Sequence, residues 1–411
     1  MKFAALASAL VVLLGARATA QGPAPSAIPP NKDYLVVVGS EGDDRIAVVR
    51  FGPGACLAAA AGGDRGARGV AAGACARVER EHRMGTNPTE LVGPHGVGVS
   101  PDGRYYYVST AHGTPYGSLW KYTAAGDTLV GRVQLGAFPA TLQVSPDGAF
   151  VYVVNFNLHG DMVPSSVSVV LADGMTEVAR IPTCTMPHGS RLNAQGTKHY
   201  SVCMMDDMLV EIDARTLTAS RSFLLTRGSE HGMPGGPQTH LADLRRAGEH
   251  QHPAPATSAG APSSACSPTW AQPSPDGGKL YVACNKTNDL VEVNVAGWRM
   301  TRRIPAGEGV YNLAVTRDGR TLVATNKRGQ SVSVIDVATG AERARIATTR
   351  KVASGVAISP DDRYAFVTVE GVGSQPGTLE VIDLRALRSV AQVDVGPQAG
   401  GVDVLRVENP K

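Results

Sequence analysis

Apolar residues along this chain come in runs of about five or six, rich in Val, Ile, Tyr and Ala, with short polar stretches between them. Runs of that length and β-branched composition predict strands rather than helices. Six copies of one polar stretch separate pairs of such runs: Ser100-Pro101-Asp102-Gly103, Ser145-Pro146-Asp147-Gly148, Asn193-Ala194-Gln195-Gly196, Ser274-Pro275-Asp276-Gly277, Thr316-Arg317-Asp318-Gly319 and Ser359-Pro360-Asp361-Asp362. Each is a tight-turn sequence. Pro presets the backbone at the first central position, Asp bonds its own backbone, and Gly accepts the positive φ that ends the turn.

The copies start 45, 48, 81, 42 and 43 residues apart. The long gap is one ordinary period plus an insertion over residues 226–265. A period of about 40 to 50 residues with four short strands per unit is the mark of a β-propeller. Six complete units follow one another, each as inner strand, turn, second, third and fourth strand. Residues 33–38, 45–51 and 76–80 form three further strands that lack an inner partner, and residues 400–406 form an inner strand that lacks the other three. Pairing them makes a seventh unit. The predicted fold is therefore all-β, a seven-bladed β-propeller closed by the C-terminal strand on the N-terminal blade, in one domain over residues 33–411.

The second strands, such as Tyr107-Val108-Ser109-Thr110, Tyr152-Val153-Val154-Asn155 and Tyr281-Val282-Ala283-Cys284-Asn285, together with third strands such as Val332-Ser333-Val334-Ile335-Asp336 and Leu379-Glu380-Val381-Ile382-Asp383, resemble the YVTN-type propeller repeat family. The resemblance covers the chain from Asp33 onward. It implies the propeller fold and leaves function open, since propellers of this kind include binding proteins, surface-layer components and enzyme-like relatives.

Charge narrows the partners. The chain has 411 residues, 39 Lys and Arg against 36 Asp and Glu, and a net charge of +3 with no basic block, so no nucleic-acid or anionic-membrane partner is expected. Residues 1–20 read as a secretory leader: Lys2, an apolar run from Ala4 to Leu14, and Ala18-Thr19-Ala20 as a small-residue cleavage site. No later stretch is apolar for long enough to cross a bilayer as a helix. Residues 21–32 are a Pro/Ala-rich, disordered lead-in, and the mature protein is expected in the periplasm or outside the cell.

Six cysteines in an oxidising compartment favour disulfides. Cys184 and Cys203 flank the third turn, Cys266 and Cys284 the fourth, and Cys56 and Cys75 bracket a Gly/Ala-rich loop. Their separations of 19, 18 and 19 residues are too long for Cys-x-x-Cys metal pairs. The first two pairs are expected to face across inner and second strands, and the Gly/Ala loop has no apolar period.

Signatures of a nucleophile elbow, a phosphate loop, a His-Glu-x-x-His metal helix and covalent haem are all missing from the sequence, so any chemistry must come from residues that the ring gathers. His95 and His188 precede or open inner strands, and His112 and His159 lie between second and third strands. In a propeller those connections share one face around the channel. Met186 accompanies His188, and the insertion adds His231 and His240, with His250 and His252, to the same expected face. Imidazole with thioether suits copper, and imidazole with carboxylate suits zinc. The alternative is that these are polar residues facing a wet channel, with no metal. His82 and His199 read as structural. Residues 226–265 form either a disordered segment or a lid.

The function expected is that of a secreted or periplasmic binding protein holding a small ligand, metal or protein partner at the channel face. The alternatives are a copper- or zinc-dependent enzyme or electron carrier using the His cluster, and a cell-envelope interaction module.

Overall fold

In the computed structural model, the described residues are 28–410 except 62–67, 70–74, 88, 113–115 and 241–264. The expected leader and most of the lead-in therefore lie outside them, as do His250, His252 and the centre of the expected lid. Seven antiparallel sheets make a seven-bladed ring. Blade 1 contains Ala399–Glu408, Asp33–Ser40, Arg45–Phe51 and Ala76–Arg83, in that spatial order. Pairing of Asp33 with Glu408 and of Val38 with Val402 closes the ring as expected. Blades 2 to 7 begin with the inner strands Pro94–Val99, Pro139–Val144, Pro187–Leu192, Pro268–Pro273, Val310–Val315 and Ala353–Ile358.

Burial explains the runs. A blade's middle strands are covered on both faces by its neighbours, so strands such as Thr321–Asn326 and Tyr364–Val369 are buried at every position. Outer strands have one wet face and alternate, as Leu129–Gln134 and Glu342–Ala347 do. Seven apolar clusters each fill one blade–blade interface. The interface between blades 7 and 1 holds Tyr34, Phe51, Tyr364 and Phe366, with Tyr34 edge-on to Tyr364 at 5.2 Å. Closure also has an ionic clasp: buried Arg50 bonds Asp33 at 2.7 Å and Glu408 at 2.9 Å, and also pairs with Glu79. Breaking one member of such a set would leave an uncompensated buried charge.

All three expected disulfides form, with Cα–Cα distances of 5.1 Å for Cys56–Cys75, 5.7 Å for Cys184–Cys203 and 4.6 Å for Cys266–Cys284. Their register differs from expectation. Cys184 belongs to the outer strand of blade 3, Thr176–Thr185, so its bridge to the second strand of blade 4 joins two blades. Cys266 stands just before the inner strand of blade 5 rather than in it. In both cases the chain approaching an inner strand already runs alongside the end of the second strand, which brings the sulfurs together before the sheet proper begins.

Two loops hold more structure than their composition suggested. Pro53–Ala61 is a helix, since alanine's high helix propensity and a first-turn proline do not need an amphipathic period. Further along that loop, Arg68–Gly69 adds to the outer edge of blade 7. The insertion begins with a fifth strand on blade 4, His231–Pro234, paired to the outer strand Thr218–Leu224. No helix among the described residues is long and apolar enough to cross a membrane.

Candidate functional site

The mouth of the channel is built by two kinds of connection repeated around the ring. The residue just before each inner strand is left-handed in all seven blades: Gly93, Phe138, Met186, Ser267, Gly309, Val352 and Gln398, with φ from 48° to 71°. Only two are glycines. A non-glycine residue in this region carries a cost on the order of 1–3 kcal/mol; its recurrence makes it a property of the architecture, and the side chains placed there distinguish the blades. The second connection, between second and third strands, contributes Glu41 in blade 1, His112 in blade 2, His159 in blade 3, Lys327 in blade 6 and Glu370 in blade 7.

Phe138 is the hub of one half of the mouth. Its ring lies 5.5 Å from His95, 5.9 Å from His112, 5.3 Å from His159 and 5.6 Å from Phe156. His112 and His159 stack, with centroids 6.0 Å apart. Glu41 bridges two of the imidazoles: its carboxylate oxygens lie 2.7 Å from His95 Nδ1 and 2.7 Å from His112 Nε2. Burial acts to raise the Glu41 pKa, but hydrogen bonds and positive potential from His95 and His112 outweigh it and bring the carboxyl down to about 2.

The other half is a hydrogen-bonded chain across the mouth. His188 is 2 % exposed. Its Nδ1 lies 2.9 Å from the Thr269 carbonyl oxygen, which can only accept, so Nδ1 carries the proton. Nε2 is then the acceptor for the Tyr311 hydroxyl at 2.9 Å. Burial pulls the His188 pKa down to about 3 and keeps the ring neutral. Lys327 Nζ sits 4.3 Å from the Tyr311 ring centroid and 2.8 Å from Glu370 Oε1. Burial opposes the lysine's charge, but the Tyr311, Glu370 and Glu41 oxygens more than offset this and raise its pKa. His95 and His188, with ring centroids 6.4 Å apart, connect the two halves. Met186 joins Phe138 and Phe156 in an apolar cluster, flanked by Met204 and Met205.

The structure thus brings His95, His112, His159 and His188 to one mouth, as two neighbouring pairs. Among the described residues, no three of His, Cys, Asp and Glu are grouped so as to hold a metal ion. His188 has both nitrogens committed, and His95 and His112 each turn one nitrogen onto Glu41. His231 and His240 do not join the mouth. His231 is exposed on the added edge strand, opposite Leu224, with Nδ1 on the Ser229 carbonyl at 2.7 Å. His240 likewise bonds the Pro234 carbonyl at 2.6 Å. The first part of the insertion, His231–Pro234, runs along the outer edge of blade 4, because the outer strand Thr218–Leu224 has an open edge that pairs with it. Glu41, Phe138, Tyr311, Lys327 and Glu370 were missed by sequence reasoning centred on histidine. Aligning the seven connections would have found them, since each stands beside a recognised position in its own repeat.

No protein-family model matches the chain, and no curated protein is detectably similar to it. Solved structures share its fold. The structure of Kuenenia stuttgartiensis hydrazine synthase aligns with a TM-score of 0.57 at 20% identity, covering 78% of this chain and 92% of that one. A protein of unknown function from Desulfotomaculum acetoxidans aligns with a TM-score of 0.61 at 12% identity, covering 90% of this chain and 98% of that one. At these identities the likeness concerns the propeller alone.

Proposed function

We propose that the chain is an exported binding protein of the YVTN-type propeller class that captures a small ligand at the channel mouth. The observation that carries this reading is the convergence of Glu41, His95, His112, His188, Tyr311 and Lys327, from blades 1, 2, 4 and 6, on one face of the ring beside the apolar cluster of Phe138, Phe156 and Met186. A few fixed polar groups over an apolar surface suit a ligand with a polar head and an aromatic or aliphatic body. Binding is favoured because the polar groups are already held in fixed positions by one another: His188 between the Thr269 carbonyl and the Tyr311 hydroxyl, and His95 and His112 on Glu41. Three disulfides support an oxidising compartment, periplasmic or extracellular.

A protein partner at the same face is the second reading. It is favoured by exposed Tyr116, Leu158, Met162 and Val163 on the connections of blades 2 and 3, beside His159.

The test is a thermal-shift screen of small polar and aromatic compounds on protein purified from the periplasm, with metal analysis of the same sample. A saturable shift that disappears in the His95→Ala/His188→Ala double variant is expected. A hit that binds that variant equally well would remove the mouth as the site. Stoichiometric copper or zinc lost in the variant would instead turn the reading to a metal centre.

A further inference from the structure

The axis of the ring holds a second constellation, deeper than the mouth. Arg191 follows His188 by three residues on the same inner strand, which places it about 10 Å further along the channel at ~3.3 Å per residue. A cavity of about 220 Å³ at that level is lined by the inner strands of all seven blades, and the larger polar side chains on it are Gln143, Arg191, Gln272 and Asp403. Arg191 comes from blade 4 and Asp403 from blade 1, on opposite sides of the ring.

These two charges face one space without touching. Among the described residues, Arg191 forms no ion pair. Its Nη1 donates to the Ser190 carbonyl at 2.9 Å, and its guanidinium lies 4.4 Å from the Trp270 ring centroid. A guanidinium carries five N–H donors, so most of its capacity is open. Asp403 accepts the Val99 N–H on Oδ2 and the Val404 N–H on Oδ1, both at 2.8 Å, which pins the carboxyl in place. Gln143, which lines the same cavity, accepts the Leu192 N–H at 2.7 Å, and its NH₂ has no partner among the described residues. Gln272 uses its NH₂ on the Pro273 carbonyl at 3.1 Å and keeps an open acceptor oxygen. Burial pulls the Arg191 pKa down to about 10 and pushes that of Asp403 up, so the protein itself leaves both charges undercompensated.

We propose that this axial cavity binds a small zwitterion of the amino-acid type, with its carboxylate on Arg191 and Gln143 and its ammonium on Asp403. Charge decides the class. A simple anion would meet Asp403 and a simple cation would meet Arg191, whereas a molecule carrying both groups satisfies both walls. Volume decides the size: the cavity is smaller than the ~300–1,000 Å³ of drug-sized clefts and holds the equivalent of about seven waters at ~30 Å³ each. The site is independent of the mouth.

The experiment is titration calorimetry and thermal unfolding of the full, oxidised protein with glycine and L-alanine, compared with acetate and methylammonium. The amino acids should bind saturably and at least tenfold more tightly than either half alone. Arg191→Gln and Asp403→Asn should each weaken glycine at least tenfold, and Asp403→Asn should strengthen acetate by removing an opposing charge. Ala357→Leu, on the cavity wall, should abolish binding with both charges intact. The His95→Ala/His188→Ala variant should bind glycine as the natural sequence does, which separates failure here from failure at the mouth. The absence of saturable glycine or alanine binding would leave water bridging the two charges and overturn the proposal. Acetate binding as tightly as glycine would overturn it in favour of an anion site.

Discussion

The two ends of the inner strands are built on opposite rules. At the turn end, five blades repeat one device: the Ser or Thr hydroxyl bonds the Asp two residues on, at 2.6, 2.5, 2.5, 2.6 and 2.6 Å for Ser100–Asp102, Ser145–Asp147, Ser274–Asp276, Thr316–Asp318 and Ser359–Asp361. Blade 4 does the same work with Asn193, whose Oδ1 accepts the Thr197 N–H at 2.8 Å. Each of these hydroxyl–carboxylate or amide devices closes within five or six residues, and only the blade 7 turn adds longer links among those described: Asp362 accepts the Arg317 and Asp318 N–H groups of blade 6 at 2.7 and 3.0 Å, and Asp361 accepts the Tyr34 hydroxyl of blade 1 at 2.7 Å. At the mouth the backbone is equally repetitive, with a left-handed residue in every blade, yet the residues are Phe, Met, Val, Gln, Ser and Gly, and Phe138 of blade 3 meets His95 and His112 of blade 2 as well as rings of its own blade. A local motif is free to repeat because its energetics close on themselves. The mouth is where the repeat supplies position only, and where residues can diverge without loss of the fold.

The largest effect expected from breaking this arrangement is at closure. Removing residues 400–411 takes away the inner strand of blade 1 and the Glu408 partner of Arg50, and should eliminate cooperative thermal unfolding as followed by circular dichroism. A truncated protein with the original transition would show that the ring does not depend on its seam. Next in size is the Cys184–Cys203 bridge between blades 3 and 4. Replacing both cysteines with Ala should cost on the order of 3 kcal/mol by denaturant titration, for a closed loop of about 19 residues, and peptide mapping without reductant should recover the three pairs.

Acid should weaken the fold in a defined window. His188 and His199 are held down to about 3 by burial, and His82 is lowered for the same reason. Their folded pKa lies below the unfolded value of about 6.5, so the stability they contribute is fully present above pH ~6.5 and is lost as pH falls toward about 3. Glu41 acts in the same direction further down, between about 4.5 and about 2. His199 stacks on Tyr152 at 4.9 Å, and among the described residues neither ring nitrogen has a partner, so His199→Phe should reduce the pH slope of the unfolding free energy by about one proton between pH 6 and 4. An unchanged slope would place the titration elsewhere.

The smallest effects sharpen the contrast most directly. Asp147→Ala and Asp318→Ala, in separate turns of blades 3 and 6, should each cost ~1 kcal/mol and add within ~0.5 kcal/mol. Glu41→Gln and His112→Ala should instead show a coupling of ~0.5–3 kcal/mol, because one hydrogen-bonded unit spans blades 1 and 2. Equal additivity in both cycles would mean that the mouth is as local as the turns.

The hydrophobic runs and turn sequences determined, without any coordinates, the seven-bladed ring, its closure and the three cysteine pairs. All of these follow from short-range periodicity and from counting strands that lack partners. They also pointed to His95, His112, His159 and His188, because the repeat assigns each a place on one face. What the tertiary structure alone decided was which groups meet there. The Glu41 bridge joins residues 54 and 71 positions apart, and the Tyr311 hydroxyl reaches His188 across 123 positions. No local pattern records such distances. The same holds for His231, whose placement was settled by an open strand edge on blade 4, and for Arg191 and Asp403, ordinary strand residues in sequence that become a pair of facing charges only when the ring closes around them.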